Sequence, residues 1–248
     1  MKEDEIMLAG IEDKIRQCED HYTPTNTTFL DMRQRTLAEA RCRQHKGLRY
    51  LFYGGFEDAE RAVAVFLPDY AELAASDPLA LLRITQSGQK ALTHRDYLGS
   101  ILGLGIRREI IGDILVRDNG ADIVIIKEMG DFLLYNYEKA GRASLKAELV
   151  PIGEIILPEV RFEEKRDTVA SLRLDNVVAS AFNLSRGRAA EAIERGLVFV
   201  NGLETMKSDR QIKEGDRLVL RGKGKVLLKA TGNATKKNRI PVVILKYV

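Results

Sequence analysis

The stretch from Arg173 to Gly202 reads RLDNVVASAFNLSRGRAAEAIERGLVFVNG, and its periods decide the architecture of the last third of the chain. Leu172–Ala181 and Arg186–Arg195 carry apolar residues at helical spacing, which predicts two short helices around Phe182–Ser185. Ser185 is placed to cap the second helix, whose first backbone N–H groups then have no intrahelical acceptor. Leu197–Val200, Asn201-Gly202 and Leu203–Thr205 predict a tight hairpin, because Asn-Gly supplies the positive φ values of a type I′ turn. Downstream, Gly215-Asp216 turns into a strand at Arg217–Arg221. Gly222-Lys223-Gly224 turns into Val226–Ala230, and Ile240–Tyr247 closes the segment. Upstream, Arg161–Thr168 is charged and reads as extended.

Moving back along the chain, Leu79–Gln86 predicts a strand and Thr93 caps a helix from His94 to about Leu104. Ile111–Val116 and Ile123–Lys127 are strands joined by the turn Asp118-Asn119-Gly120. Asp131 opens a helix to about Lys139, closed by Gly141, and Ala143–Val150 alternates as a last strand ended by Pro151. The order β-α-β-β-α-β predicts a ferredoxin-like split βαβ layer. The first third reads as mainly helical. Ile6, Leu8, Ile11 and Ile15 mark a helix over Asp4–Asp20, Asp31 caps another to about Lys46, and Asp58–Leu67 reads as a third, stopped by Pro68. Leu48–Tyr53 is its one strand, and Ala74–Pro78 reads as a linker. The fold class is α+β in three parts: an acidic, mainly helical domain at 1–77, a ferredoxin-like domain at 78–158, and a small α+β domain at 159–248.

Composition narrows the function classes. The chain has 248 residues, 45% hydrophobic and 30% charged, which is globular rather than disordered or collagenous. Cys18 and Cys42 are too few for a disulfide framework. Met1–Gly10 is mostly acidic and unlike a signal peptide. No apolar run approaches the roughly 20 residues that span a bilayer. A cytoplasmic setting with no membrane partner is expected. Charge is graded: 1–77 carries 10 basic and 15 acidic residues, 78–158 carries 10 and 10, and 159–248 carries 19 and 11. A basic excess gathered in one segment is the footprint of a polyanion partner, and the acidic first third offers a surface to a protein partner.

The last third holds five landmarks in order: Arg173-Leu174-Asp175, Ser185-Arg186-Gly187-Arg188, the run Gly196–Gly202, Gly215-Asp216, and Arg221-Gly222-Lys223-Gly224-Lys225. Together they resemble the S-four RNA-binding domain, also called the alpha-L motif. Read physically, Arg186 and Arg188 lie in the first turn of a capped helix, where backbone donors and the helix dipole already favour phosphate. Arg173 opens the neighbouring helix. Asp175, on an otherwise basic surface, is read as fixing an arginine rather than touching RNA. Asn201 is turn chemistry that the resemblance places beside RNA. Lys207, Arg210, Arg221, Lys223 and Lys225 are candidate backbone contacts, and the expectation is one continuous basic surface.

The middle third adds Thr93-His94-Arg95-Asp96, the glycines Gly99, Gly103 and Gly105, the pair Arg107-Arg108, and Gly112-Asp113. This stretch is similar to the YlmH family of bacterial proteins, which place an RNA-binding domain before a C-terminal S-four domain. His94, Arg95, Arg107 and Arg108 become candidate RNA contacts. The resemblance implies a ribosome-associated quality-control role, binding rRNA and tRNA on the large ribosomal subunit, with no cofactor. The competing readings are an RNA-modifying enzyme targeted by its S-four domain and a cell-division-linked adaptor. Enzyme motifs fail on inspection. His94-Arg95-Asp96 has Ile101 where a kinase loop needs Asn. Gly103 and Gly105 are followed by Arg108 where a dinucleotide loop needs a third glycine, and Gly224-Lys225 is followed by Val226 rather than Ser or Thr. Arg173-Leu174-Asp175 lacks the Thr-Ser-Gly continuation of the pseudouridine synthases. Cys18-x-x-His21 and Cys42-x-x-His45 would suit zinc if two helices brought them together; the plainer reading is two buried cysteines and two surface histidines.

Overall fold

The computed structural model describes residues 2–87, 91–157, 162–235 and 237–247. Its contacts divide the chain into two compact units, 1–158 and 159–248, and each is taken by itself. Arg161, where the extended segment was expected to begin, lies outside the described residues.

The first unit opens with α1 (Lys2–His21), whose Glu3, Asp4 and Glu5 suit the positive end of the helix dipole. Its inner face is Ile11, Ile15 and Cys18, at helical spacing. β1 (Thr25–Asn26) follows, then α2 (Met32–Cys42), where Asp31 and Gln34 form a reciprocal capping box. β2 (Arg49–Tyr53) and β3 (Val63–Leu67) complete a three-stranded sheet in the order β1-β3-β2. The expected helix at 58–67 is therefore wrong: its second half is a central strand. All five residues of β3 are buried. Val63, Val65 and Leu67 pack with Phe29, Leu81 and Val124, while Ala64 and Phe66 pack with Ile11, Ile15 and Ala38. A strand buried on both faces has no alternation to read, so an apolar run of this kind is ambiguous between helix and strand.

The same unit continues through β4 (Leu79–Ser87), α3 (His94–Leu102), β5 (Ile111–Arg117), β6 (Gly120–Ile126), α4 (Gly130–Asn136), β7 (Lys139–Ala140) and β8 (Ala143–Val150). The sheet order is β5-β6-β4-β8-β7 with every pairing antiparallel, which is compatible with the ferredoxin-type expectation. One face carries Leu82 and Ile84 against Tyr97 and Ile101 of α3 and Leu133 of α4. The other face carries Leu79, Leu81, Val124 and Ile126 against β3. Gly112 permits this closeness, since a Cβ there would lie 2.7 Å from the Phe29 ring. The two halves of this unit thus share one apolar cluster.

The second unit comprises β9 (Phe162–Val169), α5 (Leu174–Ala181), α6 (Arg186–Glu194), β10 (Val198–Val200), β11 (Leu203–Glu204), β12 (Arg217–Leu220), β13 (Gly224–Thr231) and β14 (Ile240–Tyr247). The sheet order is β11-β10-β12-β13-β14-β9. Asn201 and Gly202 have φ of 51° and 76°, as the Asn-Gly reading requires. Val177, Val178, Ala189 and Ile193 of the helices pack on Val198, Leu218, Leu220 and Val226, so α5 and α6 cover one face of the sheet.

Candidate nucleic-acid interface

Asp175, 3% exposed at the start of α5, organises the helix starts of the second unit. Arg173 donates to its carboxylate from Nε and a terminal nitrogen at 3.2 and 3.1 Å, and Arg186 does the same at 3.0 and 2.9 Å. Burial pushes the Asp175 carboxyl up, but the guanidinium groups of Arg173 and Arg186 outweigh it and hold the carboxyl below its ordinary range. The two arginines remain 36% and 61% exposed at the side chain, so each is oriented by one edge and keeps further donors towards solvent. Arg188 stands exposed one turn away, where the Ser185 hydroxyl accepts its backbone N–H at 3.3 Å. The first donors of α5 are used differently. The Leu174 and Asp175 N–H groups donate to the carbonyls of Arg210 and Ser208 at 2.8 and 3.1 Å. This fastens the loop bearing Lys207 and Arg210 to the helix that Asp175 opens. Five of the expected contacts, Arg173, Arg186, Arg188, Lys207 and Arg210, are therefore tied to one pair of helix starts. Such a group suits phosphates.

The expected single surface divides here. The loop with Lys207 and Arg210 enters β12 at Arg217, whereas Arg221 and Lys223 sit in the turn that leaves β12 at Leu220. Arg221 and Lys225 also lie on the sheet face opposite α5 and α6: Arg221 is stacked over the Phe199 ring at 4.8 Å, and the Lys225 ammonium is 4.5 Å from the Tyr247 ring centre. The alternation of side chains along a strand makes this unavoidable, and charge counting carries no information about it. The Asn201 amide holds the hairpin to the next strand, donating to Asp216 at 2.8 Å and accepting the Arg217 N–H at 2.9 Å.

In the first unit the four candidates part company. His94 and Arg95 are exposed in the first turn of α3, behind the Thr93–Asp96 capping box. Arg107 is exposed and pairs with Glu109 at 3.2 Å. Arg108 is drawn inwards, donating to the carbonyls of Ile111 and Gly112. Burial, helped by the nearby Arg61, pulls its pKa down to about 10. Arg61, which the sequence reading passed over, reaches the same strand, donating to the Ile111 and Phe29 carbonyls at 3.0 Å each. The sheet face opposite α3 and α4 is covered by β3 here, through Leu79, Leu81, Val124 and Ile126.

The cysteine and histidine pairs do not converge. Cys18 and Cys42 are buried in the cluster around Ile15, and burial pushes the Cys42 thiol up to about 11. His45 faces Glu12 at 3.1 Å, while His21 is exposed. Among the described residues, no group of three or more His, Cys, Asp and Glu side chains is placed to hold a metal ion. No helix among them is long and apolar enough to cross a membrane.

Comparisons with known proteins fall on the same segments. The family model described as "Putative RNA-binding domain in YlmH" matches residues 79–154, and that of the S4 domain matches residues 172–218. The ribosome-associated protein quality control protein P2 of Bacillus subtilis (strain 168) is 30% identical over 226 residues, covering 90% of this chain and 88% of its own. Among solved structures, the cell division protein ylmH from Streptococcus pneumoniae superposes with a TM-score of 0.55 at 29% identity, covering 63% of this chain and 96% of that one.

Proposed function

Because this chain belongs to the YlmH family, with that family's RNA-binding domain followed by an S4 domain, we propose that it is a non-enzymatic RNA-binding protein of the ribosome. It grips rRNA and tRNA on the large subunit and serves quality control of stalled nascent chains in the cytoplasm. The name of the B. subtilis relative supports the ribosomal setting. The observation that carries the RNA-binding reading is the paired clamp of Arg173 and Arg186 on buried Asp175, beside exposed Arg188. Its chemistry is positioning: guanidinium edges and a helix start hold phosphates, and the fold pays in advance for their orientation.

Arg186→Glu is a poor test, since it sets a second carboxylate against Asp175. The double variant Arg188→Glu/Lys207→Glu changes two exposed side chains outside the core. It is expected to weaken co-sedimentation with large subunits at least tenfold at about 0.1 M salt, with an unchanged melting temperature. Undiminished co-sedimentation would count against the assignment. The name of the pneumococcal structure and the acidic 1–77 segment favour a second reading, an adaptor for a basic partner protein. Because 1–77 shares its core with the following strands, a pull-down should use 1–157 as bait. A partner captured with ribosome binding absent would select this reading.

A further inference from the structure

The sheet of the second unit has two unlike faces. Val198, Leu220, Val226 and Ile244 are buried on the side of α5 and α6. Their strand neighbours point the other way, and the register lines several of them up. Phe199 lies across from Val219, Val219 from Lys225, and Tyr247 from Phe162. The pairing of Val226 with Lys246 brings Lys225 opposite Tyr247. One row therefore crosses β10, β12, β13, β14 and β9, with an aromatic residue at each end. The Tyr247 and Phe162 rings meet edge to face, centres 5.0 Å apart, and Phe162 is 41% exposed. The cations lie on the rings themselves: Arg221 over Phe199 and Lys225 over Tyr247. The acids of this face are Glu164, paired with Arg166 at 2.8 Å and with Lys229 at 3.6 Å, and Glu204 at the edge across from Phe199.

Rings and cations in one row match a ligand that offers flat π faces and negative charge together. A duplex hides its base faces in the stack, and an acidic peptide would use the cations but leave the rings without flat partners. Unpaired RNA offers both. We propose that this open face is a second RNA surface, taking a single-stranded segment by stacking bases on the exposed Phe162 ring and on the Arg221 guanidinium that Phe199 backs, while Lys225, held on Tyr247, meets a flanking phosphate. It rests on the RNA-binding role proposed above but is independent of the grip at the helix starts.

The test uses the full chain and a fluorescein-labelled oligoadenylate of about 10 nucleotides, within the span one small module covers. Phe162→Leu/Phe199→Leu keeps the apolar bulk and removes the exposed ring and the ring that backs Arg221, and is expected to weaken oligoadenylate binding at least about tenfold. Its co-sedimentation with large subunits should fall far less. Arg188→Glu/Lys207→Glu should give the opposite pattern, keeping the oligonucleotide within about threefold and losing the ribosome. If the wild type ignores ribosomes yet binds oligoadenylate through these rings, the ribosomal role fails and the second surface stands. Unchanged oligoadenylate affinity in the ring variant overturns it, as does a wild type that binds polyglutamate and no oligoadenylate. Should the ring variant misfold, photocrosslinking of a 4-thiouridine oligonucleotide to the wild type decides. Crosslinks at Phe162, Phe199 or Tyr247 support the surface, and crosslinks confined to 173–188 and 207–210 overturn it.

Discussion

Arg107-Arg108 in the first unit and Arg186-Gly187-Arg188 in the second are nearly the same signal in the sequence and reach nearly opposite ends in the fold. Arg108 turns inwards onto the carbonyls of Ile111 and Gly112, next to Arg61, and its charge is spent on the first turn into β5. Arg186 turns onto a carboxylate, and that carboxylate is shared with Arg173, so two guanidinium groups are held at a helix start with their outer edges exposed. The difference lies in the acceptor. Backbone carbonyls in a half-buried site consume an arginine, while one buried acid at the rim presents two.

Stability should separate the two regions most strongly. Arg61→Ala leaves the Phe29 carbonyl without its guanidinium donor and the Ile111 carbonyl with Arg108 alone, and should cost the first unit about 1–3 kcal/mol in chemical denaturation. Affinity of the folded protein for RNA should stay unchanged. Asp175→Ala sits on the other side of the comparison. It should cost the second unit about 2 kcal/mol and also weaken RNA binding several-fold, because Arg173 and Arg186 lose their common anchor. A loss of stability with no loss of affinity would mean that the clamp only holds the fold.

Single charge reversals sharpen the contrast at lower cost. Arg188→Glu should reduce affinity for ribosomal RNA about tenfold and lower the salt slope by about 1, whereas Arg107→Glu should change affinity less than about twofold. Equal effects would erase the distinction drawn between the two stretches. The smallest effect is in acid. Asp175 is held below its ordinary value of 3.8, burial being outweighed by the two arginines, so its contribution is present above that value and is lost as pH falls through the lower folded one. Asp113 is raised, chiefly by burial, so the first unit gains stability as pH falls through its folded value. Mild acid should therefore favour the first unit before the second begins to weaken, and amide exchange resolved by unit checks this.

The elements that alternate or carry caps were legible in the sequence: the Asn201-Gly202 hairpin, the Thr93 and Ser185 helix starts, and the β-α-β-β-α-β order. What was not legible depends on backbone geometry and strand register that residue spacing does not carry. β3 read as a helix because both its faces are buried, one by α1 and α2 and the other by β4 and β6. Arg108 read as a free cation because the carbonyls that capture it are shaped by a strand start. The role of Asp175 was visible, but its second partner, eleven residues on, was not. The row from Phe199 to Phe162 exists only through the register of five strands, and no local pattern points to it.

The start of α5, the start of α6 and the loop fastened to them are proposed to touch ribosomal RNA. Ultraviolet crosslinking of the full chain to ribosomes, with both the RNA and the peptide identified, tests it directly. The expected product is large-subunit RNA joined to peptides covering 173–188 and 207–210. Crosslinks confined to 94–108, or to small-subunit RNA alone, would contradict it.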